Sequence, residues 1–129
     1  MIISPPTKIY VSESKIHGLG VFASAKISEG EVFEKCPVHD LQIPKGETSP
    51  LFLDYRFNWP QGIDWEQQVV SWGYGSLYNH SDNPNANWRS NLEDRTFEFY
   101  ATKEIEPGEE ILVWYGDDNY WNDGRVKLS

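Results

Sequence analysis

The sequence predicts a single domain of mainly β structure with little helix, and three observations predict it. The chain has 129 residues, enough to bury about two thirds of its unfolded surface around one core and too few for a second. Ten glycines and eight prolines break it at close intervals, and the apolar runs between the breaks are short, as brief strands joined by turns require. Six Trp and seven Tyr stand within an aromatic content of 15%, which supplies rings both for a small core and for the walls of a groove.

In chain order, Ile9-Tyr10-Val11 and Gly20-Val21-Phe22-Ala23 are the first predicted strands. Ile27-Ser28-Glu29-Gly30-Glu31 reads as a turn feeding a strand at Val32-Phe33-Glu34-Lys35. From Pro37 to Pro50 the sequence is polar and holds three prolines, Pro37, Pro44 and Pro50, so a surface loop is expected. Leu51 to Phe57 alternates as a strand does, Asn58-Trp59-Pro60-Gln61-Gly62 reads as a turn, and Trp65 to Trp72 fits a short strand or a helical turn. Asn87-Trp88-Arg89 and Thr96-Phe97-Glu98-Phe99-Tyr100 flank Asn91-Leu92-Glu93-Asp94 as the arms of a hairpin. Ile111-Leu112-Val113-Trp114-Tyr115 is the most apolar run and is expected to be a central strand.

One internal echo crosses this pattern. Phe22-Ala23-Ser24, Ile27, Gly30 and Glu31 recur at the same spacing as Tyr100-Ala101-Thr102, Ile105, Gly108 and Glu109. It predicts two strand-turn-strand units of similar geometry, each turning at a glycine.

The formal charge is −9, from 20 acidic and 11 basic side chains, which disfavours direct contact with nucleic acid or an anionic membrane and favours a basic protein or peptide partner. The single cysteine, Cys36, excludes an internal disulfide and a cysteine-built zinc site, and Cys36 with His39 offers too few ligands, so no metal is expected. No run is long and apolar enough to span a bilayer and no secretory signal is present. The expectation is an intracellular protein, cytoplasmic or nuclear according to its source. Asn79-His80-Ser81 fits a glycosylation sequon, which has no meaning inside the cell.

Residues that can carry chemistry gather in Gly73-Tyr74-Gly75-Ser76-Leu77-Tyr78-Asn79-His80-Ser81-Asp82-Asn83-Pro84-Asn85. The stretch packs glycines, rings, amides and a histidine without helical or strand periodicity, a composition better suited to lining a site than to building a core. Asn79 has donors and an acceptor, and His80 can stack and hydrogen-bond, so the pair suits a zwitterionic or heteroaromatic ligand, or else a satisfied turn. Gly18-Leu19-Gly20-Val21-Phe22-Ala23 matches a dinucleotide fingerprint, but a polar segment precedes it and a glycine-acid turn follows, where a Rossmann unit needs a strand and a helix. What is left is a glycine turn that either admits a ligand close to backbone amides or closes a hairpin. Tyr115 precedes Gly116 at the end of the apolar strand and is either a phenol at the mouth of a site or a core tyrosine. No nucleophile, histidine and acid stand at hydrolase spacing, and there is no Walker loop.

Lys15-Ile16-His17-Gly18-Leu19-Gly20-Val21-Phe22-Ala23, then Tyr78-Asn79-His80-Ser81-Asp82-Asn83-Pro84-Asn85, then Ile105-Glu106-Pro107-Gly108-Glu109-Glu110-Ile111-Leu112-Val113-Trp114-Tyr115-Gly116 resemble, in order, the three signature blocks of the SET domain. The last block is also similar to PR domains, which typically lack the Asn-His-Ser block that is intact here. SET domains are S-adenosylmethionine-dependent protein lysine methyltransferases, and the resemblance covers nearly the whole chain. It implies one SET domain over 1–129, built of small curved β-sheets in which the C-terminal segment threads a loop as a pseudoknot.

The resemblance further implies that the backbone around His17, Gly18, Leu19 and Gly20 receives the methionine part of the cofactor. Asn79 binds the same part, Tyr78 stands beside it, and His80 meets the adenine through its backbone. Tyr115 is the implied catalytic tyrosine. Tyr78, Trp88 and Tyr100 are the candidate walls of the lysine channel, each with a core-packing alternative, and Val113 stands where many members carry an aromatic that influences the number of methyls added. Cysteine-rich flanking segments are absent, so 117–129 is the expected lid, with Tyr120 or Trp121 stacking on adenine. The insert between the first two blocks, which helps choose substrate in the family, is short.

The implied activity is methyl transfer to a lysine ε-amine of a basic protein or tail, histone-like or ribosomal. The alternative is a catalytically silent module that binds basic peptides. A small-amine substrate and a homodimer contact that completes the groove stay open.

Overall fold

Nine short strands carry the architecture: β1 (Ile9–Glu13), β2 (Leu19–Ala23), β3 (Val32–Asp40), β4 (Arg56–Trp59), β5 (Gln67–Ser71), β6 (Asn79–His80), β7 (Ala86–Asn91), β8 (Thr96–Ala101) and β9 (Glu110–Val113). They belong to a computed structural model that describes residues 2–44, 47, 56–61 and 65–115, among which there is no helix. One sheet has the order β1-β2-β9-β6 and the other β4-β5-β3-β8-β7. Every neighbouring pair is antiparallel except β6 and β9, which run parallel with Asn79 opposite Leu112 and His80 opposite Val113.

Alternation sets the faces. In β8, Phe97, Phe99 and Ala101 are buried while Glu98 and Tyr100 between them are half-buried on the other side, the period-two pattern of a sheet with one face on the core. Phe97 and Phe99 meet Ile27, Ile105, Ile111, Val21 and Val69 in one core that both sheets share.

The predicted strands at Ile9, Gly20, Val32 and Ile111 and the hairpin across Asn91–Asp94 are all present, and β9 lies between β2 and β6. Two expectations change, and one alternative is decided. The Pro37 loop begins late, because β3 continues to Asp40. Pro37 is the last β3 residue paired with β8, and Val38 to Asp40 pair with β5, so proline stands where the strand changes partner and a missing N–H is tolerated. Asn58 and Trp59 belong to β4 rather than to a turn, because their pairing with β5 runs on to Trp59 opposite Gln67. The segment within Trp65–Trp72 is the strand β5. Residues 51–55 and 117–129, where a strand and a lid were expected, lie outside the described residues.

The echo is realised as an exchange between the two units. Ile27 and Ile105 bond each other's backbones reciprocally, both at 2.9 Å. Ala23 N–H donates to Glu109 O and Ala101 N–H to Glu31 O, both at 3.0 Å, while Gly108 N–H donates to Ala23 O at 2.7 Å and Gly30 N–H to Ala101 O at 2.8 Å. Gly30 and Gly108 have φ of 84° and 88°, a left-handed conformation that glycine adopts without a Cβ penalty. The strand after each turn pairs with the strand before the other, β9 with β2 and β3 with β8. That interleaving ties the C-terminal block into the middle of the molecule.

Candidate functional site

Asn79 opens β6, and its side chain lies against the β1–β2 hairpin. Its Nδ2 donates to His17 O and Leu19 O at 3.1 Å each and to Glu110 Oε2 at 2.9 Å, so two hydrogens serve three acceptors. The same Glu110 carboxylate accepts from Ser14 Oγ at 2.8 and 3.0 Å, and Ser14 Oγ accepts from the Ile16 backbone N–H at 3.0 Å. Ser14 N–H closes the tip by donating to Gly18 O at 2.8 Å. The hairpin tip is thus wired from its inner side by one amide and one carboxylate. Gly20 is required there: a Cβ would collide with Glu110 Oε2 and stand 3.1 Å from Asn79 Nδ2. Gly18, at φ 47°, has nothing within 4 Å of where a Cβ would be, and Leu19 is 53% exposed. The outer side of the tip is open.

His80 and Tyr115 form the second half. Tyr115 N–H donates to His80 Nδ1 at 2.9 Å, so the imidazole carries its proton on Nε2 and donates it to Asp82 Oδ1 at 3.1 Å. The rings of His80 and Tyr115 lie 5.3 Å apart, and the Tyr115 hydroxyl donates to the Tyr78 carbonyl. Tyr115 is therefore fixed at its backbone and at the far end of its ring. The Asn79 and Tyr115 segments reach each other because β6 and β9 pair. Asn85 reinforces the pairing with its side chain, accepting from Leu112 N–H at 2.8 Å and donating to Glu110 O at 2.9 Å.

Behind Tyr78 stands a buried carboxylate. Glu34, 3% exposed, accepts from the Tyr78 hydroxyl at 2.6 Å and from Tyr74 N–H at 2.8 Å. The Tyr78 ring stacks on Phe99 at 4.5 Å and meets Phe33 edge-on at 5.9 Å. Burial first, and then the Glu34 charge, hold the Tyr78 phenol well above its usual value, and the same two causes push the Cys36 thiol up. A Cβ on Gly73, at φ 67°, would come within 2.6 Å of Glu34 Oε2. Glycine there lets the loop that carries Tyr78, Asn79 and His80 lie directly on the carboxylate.

The residues singled out from sequence sort as follows. Gly18, Leu19, Gly20 and the His17 carbonyl gather around Asn79, and His80 and Tyr115 meet one step along the same junction. The His17 side chain is exposed. Tyr78 is close to Tyr115 through its carbonyl, while its ring is 1% exposed and belongs to the core. Trp88 is half-buried between Phe57 at 5.5 Å and Phe99 at 5.9 Å. Tyr100 stands apart from the other two. Alternation turns it to the opposite face of β8 from Phe99, where the Arg89 guanidinium lies 5.0 Å over its ring, so it is not a wall shared with Tyr78 and Trp88. Val113 is 2% exposed, opposite His80. Tyr120 and Trp121 lie outside the described residues.

Sequence reasoning missed Glu34, Ser14 and the role of Glu110. Glu34 was legible in part, since it is two residues from Cys36 and so shares a strand face with an inward-turned residue. No local pattern joins Ser14 to Glu110, because the interleaved strands alone bring them together. Among the described residues no group of three or more His, Cys, Asp or Glu could hold a metal, and no helix is long and apolar enough to cross a membrane.

Comparison with known proteins agrees with this geometry. The SET domain family matches residues 18–116. A Schizosaccharomyces pombe histone-lysine N-methyltransferase, specific for H3 lysine-37, is 30% identical over 133 aligned residues, which cover 99% of this chain and 85% of that protein. A crystal structure of a Plasmodium falciparum protein described as a candidate histone methyltransferase superposes with a TM-score of 0.70 at 32% identity, over 89% of this chain and 96% of that one. The matched span contains the glycine tip, the Asn79-His80 strand and Tyr115, and on these grounds the chain belongs to the SET-domain family.

Proposed function

We propose that this chain is an S-adenosylmethionine-dependent protein-lysine N-methyltransferase acting on a basic protein or tail, histone-like or ribosomal. The observation that carries the reading is Tyr115, fixed through His80 and the Tyr78 carbonyl at the junction where Asn79 holds the open glycine tip. The family match supports the chemistry. The relative named for H3 lysine-37 supports the substrate class, and the net charge of −9 suits a basic partner.

The donor set fits the cofactor: an outward-open tip at Gly18 and Leu19, whose backbone is held from behind by Glu110 packed against Gly20 and by the Asn79 amide. His17, Gly18, Leu19 and Gly20 would hold the methionine part through backbone atoms together with Asn79, and the His80 backbone would meet the adenine. Its imidazole is already engaged at both nitrogens. S-adenosylmethionine, when bound, supplies a methyl carbon activated by a sulfonium.

The chain's own task is to present a neutral amine in line with that carbon. A free lysine has a pKa of about 10.4, so the site must desolvate it, and Trp88 beside Phe57 and Phe99 offers apolar wall. Tyr115, whose hydroxyl hydrogen is engaged by the Tyr78 carbonyl, presents its oxygen lone pairs as an acceptor toward an amine N–H or a polarised methyl. That is catalysis by positioning and preorganised dipoles.

The test is transfer of labelled methyl from S-adenosylmethionine into a panel of basic proteins, with Tyr115→Phe in parallel. Label in a protein band, lost in Tyr115→Phe while calorimetry shows cofactor still bound, is the expected result. Binding without transfer to any substrate would point instead to the silent peptide-binding module.

A further inference from the structure

Among the described residues, Glu110 lacks the cation that four other carboxylates hold. Glu31, Asp94, Glu98 and Glu104 each stand within 4.0 Å of a lysine or arginine nitrogen. Glu110 accepts only from the neutral donors Ser14 Oγ and Asn79 Nδ2, and among the described residues no cationic side chain pairs with it. These bonds hold the half-buried carboxylate in one place, and Gly20, lacking a side chain, leaves its Oε2 directly against the glycine tip. An opposite charge near a partly desolvated, immobile carboxylate is attracted far more strongly than in bulk water.

We propose that Glu110 is the charge-selecting residue of this site, favouring the cationic methyl donor over its neutral product. The inference rests on the cofactor reading above. S-adenosylmethionine carries an ammonium, a carboxylate and a sulfonium, a net charge of +1. S-adenosylhomocysteine keeps the first two and loses the third. A fixed anion at the floor of the tip therefore distinguishes the two ligands by the sulfonium charge alone. It helps the spent cofactor to leave without weakening capture of the fresh one. The Ser14 hydroxyl and the Asn79 amide aim the carboxylate, and Glu110 provides the charge.

The experiment is calorimetric and needs no turnover. The dissociation constants of S-adenosylmethionine and S-adenosylhomocysteine are measured for the full chain, for Glu110→Gln and for Ser14→Ala. Glu110→Gln keeps the shape and one acceptor oxygen for Asn79 Nδ2 and removes the charge. The preference for the cationic ligand is expected to fall by roughly tenfold, with S-adenosylhomocysteine affinity much less affected. Ser14→Ala, which loosens the tip but keeps the charge, should weaken both ligands alike. Equal losses for both ligands in Glu110→Gln would overturn the proposal and leave Glu110 as a brace of the loop. Should Glu110→Gln not fold, the unmodified protein decides: its preference must narrow as salt is raised, and a ratio that salt does not move overturns the proposal. Unmodified protein that binds neither ligand would overturn the cofactor reading itself, and the charge selection with it.

Discussion

The β1–β2 hairpin and the β7–β8 hairpin lead into turns of the same geometry, with Gly30 at φ 84° after the first and Gly108 at φ 88° after the second, yet charge is arranged oppositely around them. By the spacing of the echo, Gly20 in the first corresponds to Glu98 in the second. Glu98 receives Arg89 Nε at 2.8 Å and lies 3.8 Å from Lys35 Nζ, and Lys35 also meets Asp94 at 2.7 Å, so the second hairpin neutralises its own charge. At the matching place the first hairpin has only a hydrogen atom, and the neighbouring strand supplies Glu110 without a cation. Its tip carbonyls are turned to Asn79 rather than to a partner strand. One frame thus yields a brace neutralised by its own cations and a tip wired by one amide and by a carboxylate that no described cation pairs with.

The largest expected effect comes from erasing that contrast. Gly20→Ala drives a methyl into Glu110 Oε2 and against Asn79, and neither group can move without releasing the tip. We expect cofactor affinity to fall by about tenfold or more, with a loss of about 1–3 kcal/mol in stability from overpacking. Calorimetry and denaturant melts of this variant measure both, and unchanged affinity would separate the tip from binding.

Titration gives an intermediate effect and divides the molecule differently. Hydrogen bonds from Arg89 and then Asn91 hold the Glu98 carboxyl below its ordinary value. Glu98 therefore contributes stability at neutral pH that is lost as pH falls through and below the usual carboxylate range. Arg89→Ala should flatten that acid limb. The alkaline limb belongs to the buried cluster around Glu34, where Tyr78 and Cys36 are both raised. Unfolding lets each ionise at its ordinary value, so stability present below about pH 8.5 falls above it for the thiol and above about pH 10 for the phenol. The slope approaches about 1.4 kcal/mol per pH unit for each group. Cys36→Ala should remove the lower of the two steps in pH-dependent denaturant melts; a limb unchanged by that substitution would contradict the assignment.

The smallest effect tests the likeness rather than the difference. Gly30→Ala and Gly108→Ala meet nothing within 4 Å and suffer only from positive φ. Each should cost about 1 kcal/mol, equally, and leave cofactor affinity unchanged. A clear inequality in melting would mean that the two turns are not equivalent in energy.

Much of this was legible in the residues. The short strands followed from Gly and Pro spacing and from period-two runs such as Phe97 and Phe99, and the echo predicted the matched turns before their bonds were visible. The stretch around Asn79-His80 was readable as a candidate site because residue types with chemical capacity gathered where periodicity was absent, whereas Gly18–Gly20 and Tyr115 joined it only through the resemblance to the SET family. What escaped was long-range or directional. Glu110 reaches Ser14 only because β9 inserts beside β2, and Glu34 finds Tyr78 through a loop folded onto it. Pro37 looked like a loop because a strand that changes partner at a proline has no local signature. Tyr100 was chosen for its chemistry, and its face was decided by the register of β8.

The most direct test of the contrast between the hairpins is amide hydrogen exchange with and without S-adenosylmethionine. Slowed exchange at residues 14–20 and 79–81, with residues 91–96 unchanged, is the predicted result. Equal protection of both hairpins, or protection of 91–96 alone, would contradict the assignment of the glycine tip as the cofactor cradle.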